Sequence, residues 1–210
     1  MTGQIVLDHC IADAKIDEII CLVRKERKTS NPKVVDVVVH DFLDYSALRS
    51  LFEGVSAIYY CVGVYTGAVN RDAFRKITIT YPMTLAKAVK EVSPNVAFVL
   101  LSGQGADRNE KSKLMFALDK GKVENQLEQL FGELFFSCRP GYIYPVSPRK
   151  EPNWTYALSR KIYPILKLLG EKYSIKSTEL GKAMYLIGQN LPAQKCFENE
   201  DLLHYLKRFK

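Results

Sequence analysis

The chain alternates short apolar runs with longer amphipathic segments, and this alternation limits the available folds more than any other feature. Strand-length runs, several of them rich in β-branched residues, occupy residues 18–24, 33–40, 55–62, 95–101 and 133–138. Segments with helical spacing lie between them, and the longest are 71–92 and 113–131. Repeated β-α units build a parallel sheet with helices on both faces. The sequence therefore predicts an α/β domain with a doubly wound parallel sheet.

Composition narrows the class of protein. Of the 210 residues, 47% are hydrophobic and 25% are charged, which is typical of a globular domain rather than a disordered chain. No apolar stretch approaches the roughly 18 residues that a membrane span needs, and no secretory signal is visible. The five cysteines are scattered and form no Cys-x-x-Cys pair, so we expect neither a disulfide framework nor a metal site. These features predict a cytoplasmic protein.

The net charge of +7 raises the question of an acidic partner. Lysine and arginine are spread along the chain, apart from the clusters at 24–28 and 207–210. A solvated basic surface is the favoured interpretation, and it argues against a nucleic-acid partner. The positive potential of such a surface would also attract the phosphates of a dinucleotide.

The start of the chain departs from the usual order of a Rossmann-type fold. That fold begins with a strand and a Gly-rich turn before its first helix, whereas this chain enters a helix directly at Gly3. We expect the sheet to lack its first strand through an N-terminal truncation, in the gene model or in nature. The alternative is a native start with a rearranged sheet. We place the core at residues 1–150 and a helical cap of the same domain at 151–210, with helices at 154–169 and 177–189.

Three short motifs carry the chemistry. The apolar run that begins at Phe98 ends in Ser102, and the following helix presents Phe116-x-x-x-Lys120. A later apolar run ends in Arg139-Pro140-Gly141. Ligands of open parallel sheets bind at the carboxyl ends of the strands, where these residues fall.

In this order the motifs resemble the atypical short-chain dehydrogenase/reductase superfamily, and they are most similar to the Tat-interacting-protein and NmrA-like NAD(P)-binding oxidoreductases. The resemblance runs from about residue 3 to residue 190. It implies that Ser102 hydrogen-bonds a substrate oxygen, and that Lys120 binds the nicotinamide ribose and lowers the pKa of a tyrosine. Phe116 stands at that tyrosine position. A general acid is worth about 10²- to 10⁴-fold in rate, so the resemblance implies impaired chemistry.

The resemblance also implies where a dinucleotide would lie. The implied cofactor-binding residues are Gly3, Arg24, Lys25, Asp41, Phe42, Gly63, Lys120, Arg139, Pro140 and Gly141. Arg24 follows the second strand of that fold, where no acidic residue stands, and this slightly favours NADP over NAD. Structural alternatives stay open for several of them: a solvated charge for Arg24, a strand-ending turn for Gly63, and a plain turn at Pro140 and Gly141.

Three functions are consistent with these residues. The first is an NAD(P)-binding regulator or weakly active pseudoenzyme. The second is an active NADP-dependent reductase or epimerase of a small carbonyl compound, with the proton supplied by Ser102, by a nearby tyrosine such as Tyr142 or Tyr144, or by water. The third is a basic interaction protein without cofactor. A second Tyr-x-x-x-Lys, from Tyr163 to Lys167, follows Arg139 and is interpreted as a helical coincidence. The sequence does not indicate which oligomeric state the protein has.

Overall fold

The structure is a computed structural model that describes residues 1–27, 31–146 and 170–209. The predicted helix at 154–169, including Tyr163 and Lys167, lies outside the described residues, as does the boundary at 150.

The described elements follow the predicted alternation. The N-terminal half contains α1 (Thr2–Ala12), β1 (Ile19–Val23), β2 (Val34–Val38), a 3₁₀-helix (Ser46–Phe52), β3 (Ala57–Tyr60), α2 (Arg71–Arg75), a π-helical turn (Lys76–Thr80), α3 (Tyr81–Val92) and β4 (Ala97–Leu101). The C-terminal half contains α4 (Met115–Phe131), a 3₁₀ turn (Gly132–Leu134), β5 (Phe135–Arg139), β6 (Tyr142–Tyr144), β7 (Ser174–Lys176), α5 (Ser177–Asn190), β8 (Cys196–Glu198) and α6 (Asn199–Lys207).

All described strand pairs are parallel. The main sheet has the order β3-β4-β5-β8, and the pairs β1-β2 and β6-β7 form two smaller sheets. The register sets Leu100 of β4 beside Tyr60 of β3 and Ser137 of β5. The α/β prediction with a parallel sheet is therefore confirmed.

The sheet is interrupted between β1 and β3. These strands belong to separate sheets, and the first strand of the Rossmann order is not among the described residues, as predicted. Helix α1 contacts both strands. A Cβ added to Gly3 of this helix would lie 3.3 Å from Cβ of Cys61, just after β3, so the helix packs closely at the carboxyl end of that strand.

Helices cover both faces of the main sheet. Val99 of β4 belongs to the core shared with α1, α5 and α6, whereas its neighbours Phe98 and Leu100 belong to the core shared with α3 and α4. Successive side chains of a strand point to opposite faces, so one short strand contributes to both cores. Helix α5 is part of this packing, because a Cβ on its Gly181 would lie 2.4 Å from Cγ2 of Ile5.

The predicted kink at Pro82 takes the form of a π-helical turn over Lys76–Thr80, directly before α3. Proline lacks an N–H and crowds the carbonyl four residues earlier, here that of Thr78, and a wider turn relieves both problems. Among the residues described, no helix combines the length and the apolar character needed to cross a bilayer.

Candidate functional site

Ser102 and Lys120 meet at the carboxyl end of β4. Ser102 directly follows the strand, is 8% exposed, and its backbone N–H donates to the carbonyl of Cys138 over 2.8 Å. Lys120 lies on α4, and its Nζ donates to the carbonyl of Leu101 over 3.1 Å. The helix therefore brings its lysine to the last residue of the strand.

The ammonium group of Lys120 is buried. Burial lowers its pKa to about 8, against the opposing effects of the nearby Glu124 carboxylate and the Cys61 thiol. Burial raises the pKa of the Cys61 thiol to about 12, so this cysteine is a poor nucleophile here.

The ring of Phe116 lies one helical turn before Lys120 and packs over Gly103. A Cβ added to Gly103 would lie 2.5 Å from Cζ of that ring. Ser102, Phe116 and Lys120 thus surround the end of β4 together rather than lying on separate surfaces.

Glu124 is the centre of a buried polar cluster that the sequence analysis missed. Its carboxylate is fully buried and accepts hydrogen bonds from the hydroxyls of Ser102 and Ser137 and from the guanidinium of Arg139, whose Nε lies 3.0 Å away. Arg139 also pairs with Glu198 over 2.9 Å. A buried carboxylate is tolerated only when it is paired and hydrogen-bonded in this way. The available signal was its spacing, since Glu124 lies four residues after Lys120 on one helical face.

A second missed residue explains how α4 comes so close to β4. A Cβ on Gly121 would lie 1.7 Å from the carbonyl oxygen of Asp107, so only glycine lets the helix touch the loop after the strand. A hydrogen bond also joins this loop to the helix: the N–H of Asp107 donates to the carbonyl of Ala117 over 2.9 Å. A glycine inside a helix, without a capping role, was the signal for this contact.

The Arg139-Pro140-Gly141 loop is fixed by its own contacts. The side chain of Arg139 is directed to Glu124 and Glu198 and is only 12% exposed. A Cβ on Gly141 would lie 2.5 Å from the carbonyl oxygen of Tyr173, and the N–H of Gly141 donates to Oδ1 of Asn199 over 2.8 Å. These contacts support the structural alternative for Gly141 and leave Arg139 without a free guanidinium.

Gly3 and Gly63 lie near the carboxyl end of β3. Gly3 packs on Cys61, whereas nothing lies within 4 Å of a Cβ built on Gly63, which is exposed. Helix α1 has no acidic residue in its first turn, so its N-terminal N–H groups present no like charge to an anion.

Arg24, Lys25, Asp41 and Phe42 lie apart from Ser102, after β1 and β2. The first three are exposed, and Oδ1 of Asp41 accepts a hydrogen bond from the N–H of Leu43 over 2.8 Å. Phe42 stacks on Tyr81 with 5.3 Å between ring centroids. The structure therefore brings Ser102, Phe116 and Lys120 together at the end of β4. It leaves Arg24, Lys25, Asp41 and Phe42 at the ends of β1 and β2.

A surface cleft of about 880 Å³ lies between α1, α5 and α6, and it includes Ile5, Lys182 and Leu206. None of the catalytic candidates lines this cleft. Within the described ranges, no three His, Cys, Asp or Glu side chains are grouped so as to hold a metal ion.

No family model matches the sequence. Solved structures do match the fold. A thiolation-reductase di-domain from an archaeal non-ribosomal peptide synthetase has a TM-score of 0.69 and 13% identity, over 94% of this chain and 67% of that one. The L-threonine dehydrogenase of Clostridium difficile has a TM-score of 0.66 and 15% identity, over 100% of this chain and 77% of that one.

A UDP-N-acetylglucosamine 4-epimerase from Methanobrevibacter ruminantium M1, in complex with UDP-N-acetylmuramic acid, has a TM-score of 0.64 and 16% identity. The match covers 90% of this chain and 70% of that one. The chain spans about two thirds to four fifths of the length of the solved structures it matches. The chain thus has the Rossmann-like α/β fold of these solved structures, and the fold predicted from the sequence is confirmed.

Proposed function

We propose that this protein binds a nicotinamide dinucleotide at the carboxyl edge of its sheet and is a weak reductase or a cofactor-binding regulator. The observation that carries the proposal is the ring of Phe116, which packs on Gly103 beside Lys120. The site keeps the lysine of a short-chain-type reductase, and a benzene ring stands where that enzyme needs a proton donor. The protein would then be similar to the Tat-interacting-protein and NmrA-like group.

The residues present fit a dinucleotide. The N-terminus of α1 carries no acidic side chain, and Gly63 has open space beside it, so a pyrophosphate could approach both. When bound, the dinucleotide would supply hydride transfer at its nicotinamide. Lys120 would hold the ribose, and the backbone of Pro140 and Gly141 would border the ring.

The other end of the dinucleotide falls to the ends of β1 and β2. Arg24 and Lys25 are exposed there and could bind a 2′-phosphate, which favours NADP slightly. Asp41 and Phe42 would flank the adenine, with the ring of Phe42 already held by Tyr81.

The chemistry of the site is limited because it lacks the usual proton donor. Phe116 has no proton to give, and Lys120 has no phenol whose pKa it could lower. Without that general acid, reduction of a carbonyl should be slower by about 10²- to 10⁴-fold than in an intact site. All five cysteines are free thiols in the structure, which supports the cytoplasm as the compartment of such a protein.

The test is a titration of the protein with NADPH and NADH, followed by cofactor fluorescence, and a parallel assay of NADPH oxidation with small aldehydes and ketones. We expect saturable binding, tighter for NADPH, and oxidation close to background. Lys120→Met should weaken binding, while Lys113→Met, a change at an exposed lysine, should not. Absence of binding to either dinucleotide would overturn the proposal and favour a basic interaction protein. Rapid turnover by the wild type would instead favour a working reductase.

A further inference from the structure

The side chain of Ser102 and a side chain built at position 103 point to different residues of the site. The hydroxyl of Ser102 donates to the fully buried Glu124. A Cβ on Gly103 would instead lie 2.5 Å from Cζ of Phe116, the ring atom that carries the hydroxyl in tyrosine. The position whose side chain would meet residue 116 is therefore 103.

This geometry matters because two hydroxyls that act on one carbonyl oxygen must both reach it, at about 2.6–3.2 Å. They must then point to the same place. A side chain at 103 would point to the tip of residue 116, where a tyrosine carries its hydroxyl, whereas the hydroxyl of Ser102 is committed to Glu124.

We propose that position 103, and not Ser102, is the substrate-facing position of this site, so that the chain lacks a hydroxyl at both 103 and 116. Ser102 is then a structural donor that, together with Ser137 and Arg139, keeps the buried Glu124 satisfied. This assignment rests on the proposed dinucleotide site and sharpens it, since it names a second missing group.

The two absences are sterically matched. The tip of the Phe116 ring fills the space that a side chain at 103 would occupy, and any Cβ there would force the ring to move. Glycine at 103 and phenylalanine at 116 therefore accommodate each other. Restoring one hydroxyl alone leaves the pair incomplete.

The first test compares NADPH oxidation by the wild type, Phe116→Tyr and the double variant Gly103→Ser/Phe116→Tyr, with a panel of small aldehydes and ketones. Circular dichroism and NADPH fluorescence first establish that each protein is folded and binds. We expect Phe116→Tyr to stay within about tenfold of the wild type and the double variant to gain at least about a hundredfold, the lower bound for general acid catalysis.

Two results would overturn the assignment. One is Phe116→Tyr reaching about a hundredfold gain by itself, because Ser102 would then suffice; this arm is decisive even if the double variant does not fold. The other is a folded, NADPH-binding double variant without any gain.

A second test needs no cofactor, so it separates this inference from the proposed function. Thermal midpoints are measured for Ser102→Ala, Glu124→Ala and the two combined. If Ser102 serves Glu124, the combined loss is smaller than the sum of the single losses. Additive losses would overturn the structural role of Ser102.

The matched control pairs Glu124→Ala with Ser177→Ala. Ser177 is also buried, but its Oγ accepts from the N–H of Val146 rather than binding Glu124. This pair should be additive. If the protein binds neither NADPH nor NADH, the proposed function fails while this cycle still decides what Ser102 does.

Discussion

The two ends of the proposed crevice are built differently. Around Glu124, at the ends of β4 and β5, the polar groups described above are all paired, and Ser102, Ser137 and Glu124 are buried. Near the ends of β2 and β3, the hydroxyls of Tyr45 and Tyr60 are buried without a hydrogen-bond partner. After β1, the charges of Arg24 and Lys25 are exposed.

The two ends of the crevice therefore depend on packing to different degrees. A buried, satisfied cluster fixes its members in one arrangement, and losing one partner leaves the others uncompensated. Exposed charges on strand ends contribute little to stability and are free to serve a ligand. Substitutions at the first end should therefore change folding, and substitutions at the second should change binding.

The largest effect is expected for Glu124→Ala. It leaves the guanidinium of Arg139 and two serine hydroxyls without their buried acceptor, which should cost about 3–5 kcal/mol of unfolding free energy in urea denaturation. Glu128→Ala is the control on the same helix, because its partly exposed ion pair with Arg108 is worth about 0–1 kcal/mol. Equal losses in the two variants would remove the basis of the comparison.

Lys120→Met should stabilise the protein in a pH-dependent way. The native pKa of about 8 lies below the ordinary 10.5 because of burial, so the unfolded chain holds this proton more tightly. The buried ammonium lowers the free energy of unfolding of the wild type by about 3 kcal/mol at most. This loss is complete below pH 8 and disappears as the pH rises to 10.5. The stability gain of Lys120→Met over the wild type should therefore shrink between pH 8 and 10.5. A pH-independent difference would contradict the buried ammonium.

Tyr60→Phe should be neutral or stabilise by about 1 kcal/mol. Its hydroxyl is buried with no hydrogen-bond partner, so the substitution removes a desolvated polar group without leaving another unpaired. Tyr59→Phe is the control on the neighbouring residue, since the Tyr59 hydroxyl donates to the carbonyl of Tyr185 over 3.1 Å and its loss should destabilise. A substantial loss in Tyr60→Phe would show that its hydroxyl is satisfied after all.

The smallest effect on folding is expected for Arg24→Ala, within about 0.5 kcal/mol, because the side chain is exposed. Its effect on binding should be larger, with NADPH affinity falling about tenfold, as expected for loss of one charged hydrogen bond. NADH affinity should stay unchanged. An equal loss for both dinucleotides would argue against a 2′-phosphate contact at this end.

Much of the fold could be predicted from local sequence. The strand-length runs became β1 to β5 with ends shifted by a few residues, and the segment before Pro82 contains the predicted disturbance. The pairing of β6 with β7 was missed, because each has only three residues and their partners lie 32 positions apart along the chain. Such short strands are defined by long-range pairing rather than by periodicity.

The site was predicted in part. The residues Ser102, Phe116 and Lys120 are gathered at one strand end, as the order of motifs implied, while their catalytic roles stay predictions. Arg139, which the resemblance implied as a cofactor-binding residue, has its guanidinium bound by Glu124 and Glu198, so its role towards a cofactor stays a prediction. A motif places a residue along the chain, but which neighbours take its side chain depends on elements distant in sequence.

The order of the β-α units and the phenylalanine at position 116 could be predicted from the sequence, because both follow from local pattern and residue identity. The hydrogen bond from Ser102 to Glu124 and the contact of position 103 with the ring of Phe116 depend on how distant elements pack together. The contacts of a side chain at this strand end depend on the close approach of α4, which Gly121 permits and which joins residues distant in sequence.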